Sequence, residues 1–219
     1  IMTGLMKMTK TEKKETISNY LEKLFPDPKC ELTYHNDYEL LIAIVLSAQT
    51  TDKRVNTVTP ILFNKYKTLK ELSEAPTTSL EEILKPIGSF RKKAVYVKDI
   101  AYNFDTKYNG KVPTDRESLE KLKGVGRKTV NVFLSEFYNY PAFAVDTHVE
   151  RISKRLKIAS SEDNVLQVED KLKKFFPKDE WARRHLQLVL FGRYYCKAIK
   201  PDCTFCPLKE ICRDYKDNK

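Results

Sequence analysis

The 219-residue sequence predicts an all-α protein. Three observations lead there: apolar residues recur every three to four positions along most of the chain, period-two alternation is scarce, and cap-forming residues punctuate the periodic runs. About ten helices with short connections are expected. No internal repeat, low-complexity tract or Gly/Ser-rich hinge separates one part from another, so two lobes sharing a helical interface are expected rather than two tethered domains.

Each element has its own signal. Ile17, Leu21 and Leu24 mark a first helix, stopped ahead of Pro26 and Pro28. Tyr38 to Ser47 is apolar nearly all round and should be the most buried helix. Val55, Val58 and Leu62 form the next stripe, with Pro60 as a candidate kink. Ser79 and Glu82 read as a capping box opening a short helix that ends at Gly88. Ala94, Val97, Ala101, Phe104 and Tyr108 lie on one face of a longer helix, ended by Asn109-Gly110. Thr114 and Glu117 suggest a second capping box, leading through Leu119 and Leu122 to a stop at Gly124. Val130, Phe133, Leu134 and Phe137 then fall at helical spacing, as do Val149, Ile152 and Leu156, and Val165, Val168, Leu172 and Phe175. A last helix is expected from about Trp181, with Leu186, Val189 and Leu190 inward.

Composition narrows the function. Forty Lys and Arg against 30 Asp and Glu leave a net charge of +10, which fits a polyanionic partner as well as it fits a soluble surface. The hydrophobic fraction of 41% excludes a disordered chain. No apolar run approaches the roughly 20 residues that cross a bilayer, and the first ten residues lack a signal-peptide pattern, so no membrane partner is expected. A cytoplasmic protein follows as the expectation, with its five cysteines reduced or metal-bound. Ile1 before Met2 suggests an appended remnant, and residues 1–8 are expected to be disordered or such a remnant.

The stretch Leu119-Glu-Lys-Leu-Lys-Gly-Val-Gly-Arg-Lys-Thr-Val130 is the most informative. One helix ends at Gly124 and another begins near Arg127. Two glycines around a single apolar residue permit a turn too tight for side chains, with positive φ available. Backbone N–H groups beside the second helix's N-terminus then make a phosphate site, with Arg127, Lys121 and Lys123 adding charge. Such contacts position DNA without reading sequence. An ordinary αα-hairpin with a glycine cap is the bland alternative.

The pattern L-x-G-V-G-x-K-T resembles the helix-hairpin-helix of DNA-repair glycosylases. Downstream, Ala144-Val-Asp-Thr-His148 resembles the V-D-T-H segment of the endonuclease III family. Upstream, Leu46-Ser-Ala-Gln-Thr-Thr-Asp52 is similar to the same family's L-S-A-Q-x-T-D segment. The resemblance runs from about residue 15 to 215. It implies a six-helix barrel-like domain over residues 30–140 that includes the hairpin (about 119–137). A cluster domain follows from residues 9–29 plus 141–219, with a DNA cleft between the two lobes. The implied partner is double-stranded DNA with damaged pyrimidines or abasic sites, met by a nucleoid-associated monomer.

The resemblance makes Lys128 the nucleophile and Asp146 the catalytic carboxylate. A nucleophilic lysine must be neutral, and the helix dipole, neighbouring Arg127 and partial burial all disfavour the ammonium. A nearby carboxylate opposes them. Asp146 stands before Thr147, which with Glu150 suggests another capping box, and an aspartate there can simply cap a helix. In the implied role it offsets positive charge building on the sugar as the N-glycosidic bond breaks. Gln49 matches the family glutamine that enters the gap left by a flipped base; its plain use would be a helix-end amide. Where bacterial relatives often carry a leucine wedge after glycine, this chain has Ser89, so either Phe90 wedges or the gap is filled less fully. Gly124, Val125, Gly126, Arg127, Thr129, His148 and Lys200 complete the expected DNA contacts.

Cys196, Cys203, Cys206 and Cys212 form C-x6-C-x2-C-x5-C. Four thiolates so close are metal ligands more often than disulfides, and zinc competes with iron on ligand chemistry alone. The family resemblance implies a [4Fe-4S] cluster. Around it, Arg183, Arg184, Arg193, Lys197, Lys200, Lys209 and Arg213 suggest a loop presenting cations to DNA. Cys30 reads as a small buried hydrophobe, and His185 as a core residue. The rival readings are an adenine mismatch glycosylase, whose relatives lack the hairpin lysine and add a C-terminal domain; a related glycosylase aimed at oxidised purines, which the cysteine loop disfavours; and a non-catalytic DNA-binding module, which gives Lys128 and Asp146 no purpose.

Overall fold

The computed structural model describes residues 8–217, which hold twelve α-helices, one 3-10 turn and no strand. The expectation for residues 1–8 therefore lies, Met8 apart, outside the described residues. The chain divides into two compact units, one running from Cys30 to Tyr140 and one formed by the segments before and after it. No helix among the described residues is long and apolar enough to cross a membrane.

The Cys30–Tyr140 unit contains α2 (Asp37–Leu46), α3 (Asp52–Lys65), α4 (Leu69–Glu74), α5 (Thr77–Leu84), α6 (Phe90–Thr106), α7 (Arg116–Glu120) and α8 (Arg127–Tyr138). Every residue from Leu40 to Leu46 is buried, as an all-round apolar helix requires. At roughly 1.5–3 kcal/mol for each large aliphatic side chain, α2 is the main apolar anchor of this unit. Glu39, in the first turn of the same helix, is buried and is satisfied by the His35 backbone N–H at 2.8 Å and the His35 ring at 2.9 Å. Long α6 packs against α2, α4 and α5. Cys30 is half-buried against the same core.

The second unit contains α1 (Lys10–Leu24), α9 (Thr147–Arg155), α10 (Val165–Phe175), the 3-10 turn Lys178–Glu180, α11 (Trp181–Tyr194) and α12 (Arg213–Asp217). Its core gathers Ile17, Leu21, Phe143, Val149, Ile152, Leu172 and Leu188. Arg184 is buried on α11 and donates to Glu22 at 2.8 Å, Glu180 at 2.8 Å and Gln187 at 2.7 Å. Arg183 donates through Nε to Glu22 at 2.8 Å. Gln187 in turn donates to the Phe25 carbonyl at 2.9 Å. A polar strip thus ties α1 to α11.

Several local expectations need correction. The short helix α5 opens at Thr77 behind Pro76, with no side-chain cap. Ser79 lies inside it and accepts from Lys65 Nζ at 2.8 Å and Tyr66 OH at 2.9 Å. Asp115, not Thr114, caps α7, and its carboxylate accepts from the Ser118 N–H at 2.8 Å. Pro60 lies inside α3, which continues through it with that residue exposed. Phe137 and Val165 are exposed at the ends of their stripes. On α11 the buried residues are Arg184, His185, Gln187, Leu188, Leu190, Phe191 and Gly192, so Leu190 lies inward as expected while Leu186 and Val189 are only half-buried. Two helices had no sequence expectation: α4, although Thr68 and Glu71 form a capping box, and α12.

Candidate active site and DNA interface

The hairpin is built on α6. Leu122 N–H donates to Leu119 O and Val125 N–H to Leu122 O, both at 3.1 Å, winding the chain into a tight turn. Gly124 sits there at φ +79°, and a Cβ on it would lie 2.4 Å from Tyr96 Cδ2. That position excludes a side chain twice over, by conformation and by space. Lys123 N–H donates to Asp99 Oδ2 at 3.1 Å, and its Nζ pairs with Oδ1 at 3.4 Å. Tyr96 and Asp99, one turn of α6, therefore fix the approach to the bend. Val125 at the apex is buried, so its side chain anchors the turn.

Gly126 behaves differently from Gly124. Its φ of −111° is open to any residue, and an added Cβ would meet nothing within 4 Å. The expectation that both glycines serve the turn holds only for the first. Gly126 begins α8 without a side chain, so the N-cap residue itself offers no side-chain acceptor to the first turn of that helix. Arg127 and Lys128 follow as exposed residues, and Thr129 is half-buried. The expected partial burial of Lys128 is thus corrected: the second position of α8 faces outward. What remains around Lys128 is a helix N-terminus, open space at Gly126 and a neighbouring cation.

Two further loops of this unit meet. Gln49 follows α2 at φ +54° and is exposed; Ser89 precedes α6 at φ +56° and is exposed. The Cβ position of Gly88 is 4.0 Å from the Gln49 carbonyl oxygen. Left-handed backbone at two non-glycine residues in adjacent loops costs energy that a functional site commonly holds. Phe90 is packed on the unit's core with Arg91 stacked over its ring at 4.9 Å, leaving Ser89 as the outward residue.

In the second unit, Asp146 is the N-cap of α9. Its Oδ1 accepts from Val149 N–H at 2.8 Å, and its carbonyl from Glu150 N–H at 2.8 Å. The suggested Thr147–Glu150 box does not form, because Glu150 pairs with Lys154 at 2.7 Å. The approach to Asp146 is fixed by burial of Ala142 to Val145 and by the buried His185, whose Nδ1 lies 2.9 Å from the Ala144 carbonyl. Capping uses one carboxylate oxygen, and the other has no hydrogen-bond partner among the described residues. His148 is half-buried, with Nδ1 3.2 Å from Arg151 Nη2. The same Arg151 nitrogen reaches the Gly192 carbonyl at 2.9 Å and that of Cys196 at 3.1 Å, and burial lowers the pKa of this guanidinium. Gly192 is required for that approach, since a Cβ there would stand 2.8 Å from His148 Cβ and Ile152 Cδ1.

The four-cysteine loop leaves α11 with Cys196 N–H donating to Phe191 O at 2.8 Å. Tight turns place Cys206 N–H 3.3 Å from Cys203 O and Cys212 N–H 3.2 Å from Lys209 O. All four thiols are free and half-buried, and Cys206 lies within electrostatic reach of the other three. Burial pushes the Cys196 and Cys206 thiols up. No three or more such side chains among the described residues are already gathered about a metal position. The donor set, soft thiols on one short looped segment, nonetheless suits a thiolate-held metal or iron–sulfur group. Lys197 and Lys200 are exposed on this loop, Lys200 at φ +50°. Arg183 and Arg184 do not join them, being held by Glu22. The residues that sequence reasoning missed are Arg151 and Arg155, whose backbone partners lie over forty residues away.

Comparison with known proteins gives a consistent result. Residues 42–178 match the HhH-GPD superfamily of base excision DNA repair proteins. Endonuclease III of Bacillus subtilis (strain 168) is 47% identical over 191 residues, covering 87% of each chain. Endonuclease III of Escherichia coli (strain K12) is 39% identical over 210 residues, covering 96% of this chain and 98% of its own. Among solved structures, a trapped endonuclease III–DNA covalent intermediate with an estranged adenine superposes with a TM-score of 0.91. It shares 47% identity over 97% of this chain and 99% of that one.

Proposed function

The chain belongs to the endonuclease III family of HhH-GPD base excision DNA repair proteins, and from that premise we propose how its residues divide the work of a bifunctional DNA glycosylase and abasic-site lyase. The substrate class is duplex DNA carrying a damaged pyrimidine, or the abasic site left by its removal. The observation that carries the reading is the N-terminus of α8, where Gly126 supplies no side-chain cap and leaves open space, with Lys128 exposed in the first turn. A DNA phosphate suits that N-terminus, which offers N–H groups and a positive dipole end. Arg127 and Thr129 add reach to the same backbone. Arranged so, the hairpin holds the strand while the lysine addresses its sugar.

The chemistry runs in balanced steps. The neutral Lys128 amine forms a bond to C1′, and the N-glycosidic bond breaks with its electron pair leaving on the base. Loss of the amine proton and opening of the sugar ring give an iminium joining enzyme to deoxyribose. That electron sink acidifies C2′–H; removal of the proton moves an electron pair into the chain and breaks the C3′–O bond, releasing the 3′ phosphate. The uncommitted oxygen of Asp146 supplies negative charge where the sugar becomes positive. Gln49 enters the space vacated by the flipped nucleotide, and the neighbouring Ser89 leaves that space less completely filled than a leucine would. His148 and Lys200 are assigned weaker contacts to the backbone. Cys196, Cys203, Cys206 and Cys212 would hold a [4Fe-4S] cluster, which when bound stiffens the loop bearing Lys197 and Lys200. The enzyme is assigned to the cytoplasm, at the nucleoid.

Borohydride reduction tests the central claim. Mixed with abasic-site DNA, the protein is expected to become covalently joined to the strand, and Lys128→Gln is expected to lose the adduct while keeping affinity for DNA. A native protein that forms no adduct would remove the lyase assignment. Iron and acid-labile sulfide content separates the cluster from zinc.

A further inference from the structure

Arg155 ends α9 and is only 9% exposed. Its guanidinium reaches both ends of the four-cysteine loop. At the entry, Nη1 donates to Lys197 O at 2.7 Å and approaches Cys196 O and Cys196 Sγ, each at 3.4 Å, while Nη2 donates to Ala198 O at 3.3 Å. At the exit, Nε donates to Asp214 Oδ2 at 2.7 Å. Residues 196–198 and 214 are thereby drawn onto one planar group. An ordinary ion pair would need only the carboxylate. This arginine instead spends most of its donors on backbone carbonyls and one sulfur, a pattern a lysine cannot reproduce, because a point charge has no fixed fork.

We propose that Arg155 is a positioning residue for the metal-holding loop, closing its two ends and setting an N–H and a positive charge beside the Cys196 sulfur. The proposal rests on the cluster assignment made above. A thiolate ligand that accepts a hydrogen bond from a cation favours the more negatively charged, reduced state of an iron–sulfur group, so the arginine also raises its potential. The α9 helix then carries Asp146 at its first turn and the loop's clasp at its last.

Three variants of the full chain test this: Arg155→Gln, Arg155→Lys and Asp214→Asn. Amide hydrogen exchange reads the clasp whether or not a cluster is present. In R155Q, exchange across 196–214 is expected to quicken tenfold or more with that of α10 unchanged, cluster release to a chelator to accelerate, and the midpoint potential to become more negative. R155K retains the charge, so it is expected to recover much of the potential but not the exchange protection. D214N is expected to loosen residues 212–214 and spare 196–198. Native exchange across 196–214 in R155Q overturns the clasp. Faster exchange with an unshifted potential reduces Arg155 to a structural tie and also overturns the proposal. Absence of iron and sulfide from the native protein sinks the cluster assignment instead, and the exchange data still decide the clasp. Should R155Q not fold, the remaining pair decides: unaltered exchange in both R155K and D214N refutes it.

Discussion

Substituting Gly124 by alanine places two separate penalties on one methyl group. At φ +79° an alanine is strained by roughly 1–2 kcal/mol. Its Cβ would also lie 2.4 Å from Cδ2 and 2.8 Å from Cγ of Tyr96, the stiff base of the ring, and overpacking of that kind costs about 1–3 kcal/mol. Together they predict a loss of roughly 2–5 kcal/mol, a large share of the 5–15 kcal/mol that holds a typical domain. With a urea slope of about 2–3 kcal/mol per molar, the midpoint should fall by about 1–2 M. Far-UV circular dichroism measures it, and hydrogen exchange over 116–138 locates the loss in the hairpin. The double variant Tyr96→Ala/Gly124→Ala should show a coupling equal to the steric share. Gly126→Ala is the contrast: nothing obstructs it, so stability should fall by less than about 1 kcal/mol, while affinity for abasic-site duplex drops if a phosphate sits there. An unchanged urea midpoint in Gly124→Ala would refute the reasoning.

Asp146→Asn keeps an oxygen for the Val149 N–H but loses the charge, whereas Asp146→Ala also loses the cap, worth about 1 kcal/mol. Single-turnover base excision should fall about 100-fold or more in both, and thermal stability should fall only in the alanine variant. Glu22 is held down at about 2, chiefly by the hydrogen bond from Arg183. Its contribution is therefore complete above about pH 4.5 and is lost as pH falls towards 2, since the unfolded chain takes up the proton first. Glu22→Gln should lower stability at pH 7 and flatten the acid limb of a urea-midpoint-against-pH plot. Lys93 is 3% exposed, and its ammonium has no hydrogen-bond partner among the described residues. Removing that buried charge with Lys93→Met should raise stability by about 1–3 kcal/mol; a lower unfolding temperature would mean that the ammonium finds an acceptor in solution.

Local signals were legible where a residue's chemistry admits one conformation. Gly124 had to bend, and α2 had to be buried because it has no polar face. The α4 helix was equally legible through Thr68 and Glu71, but its six residues are too short to show a periodic stripe. Competing caps were harder. Asp146 and Thr147 are adjacent candidates, and only the residue at which α9 begins, seen in three dimensions, decides for Asp146. The exposure of Lys128 depends on which way α8 turns off the hairpin, which periodicity does not specify at a helix's first turn. Arg151 and Arg155 drew no notice in the sequence, because acceptors some forty residues along the chain leave no mark on local pattern. For the same reason Arg183 and Arg184 read as a DNA-facing cluster although Glu22 claims both.

A chain whose middle segment forms one unit and whose flanks together form the other has an order of assembly written into it. Residues 30–140 are contiguous and can condense as soon as they have left the ribosome. The α1 helix must wait for α11, whose Arg183 finds Glu22 across 161 positions. Newly made α1 thus travels with its apolar stripe unsatisfied until translation is nearly over, and the cysteine loop can be stapled only after that. Protease digestion of stalled nascent chains should find resistance in the middle segment well before the N-terminal helix becomes protected.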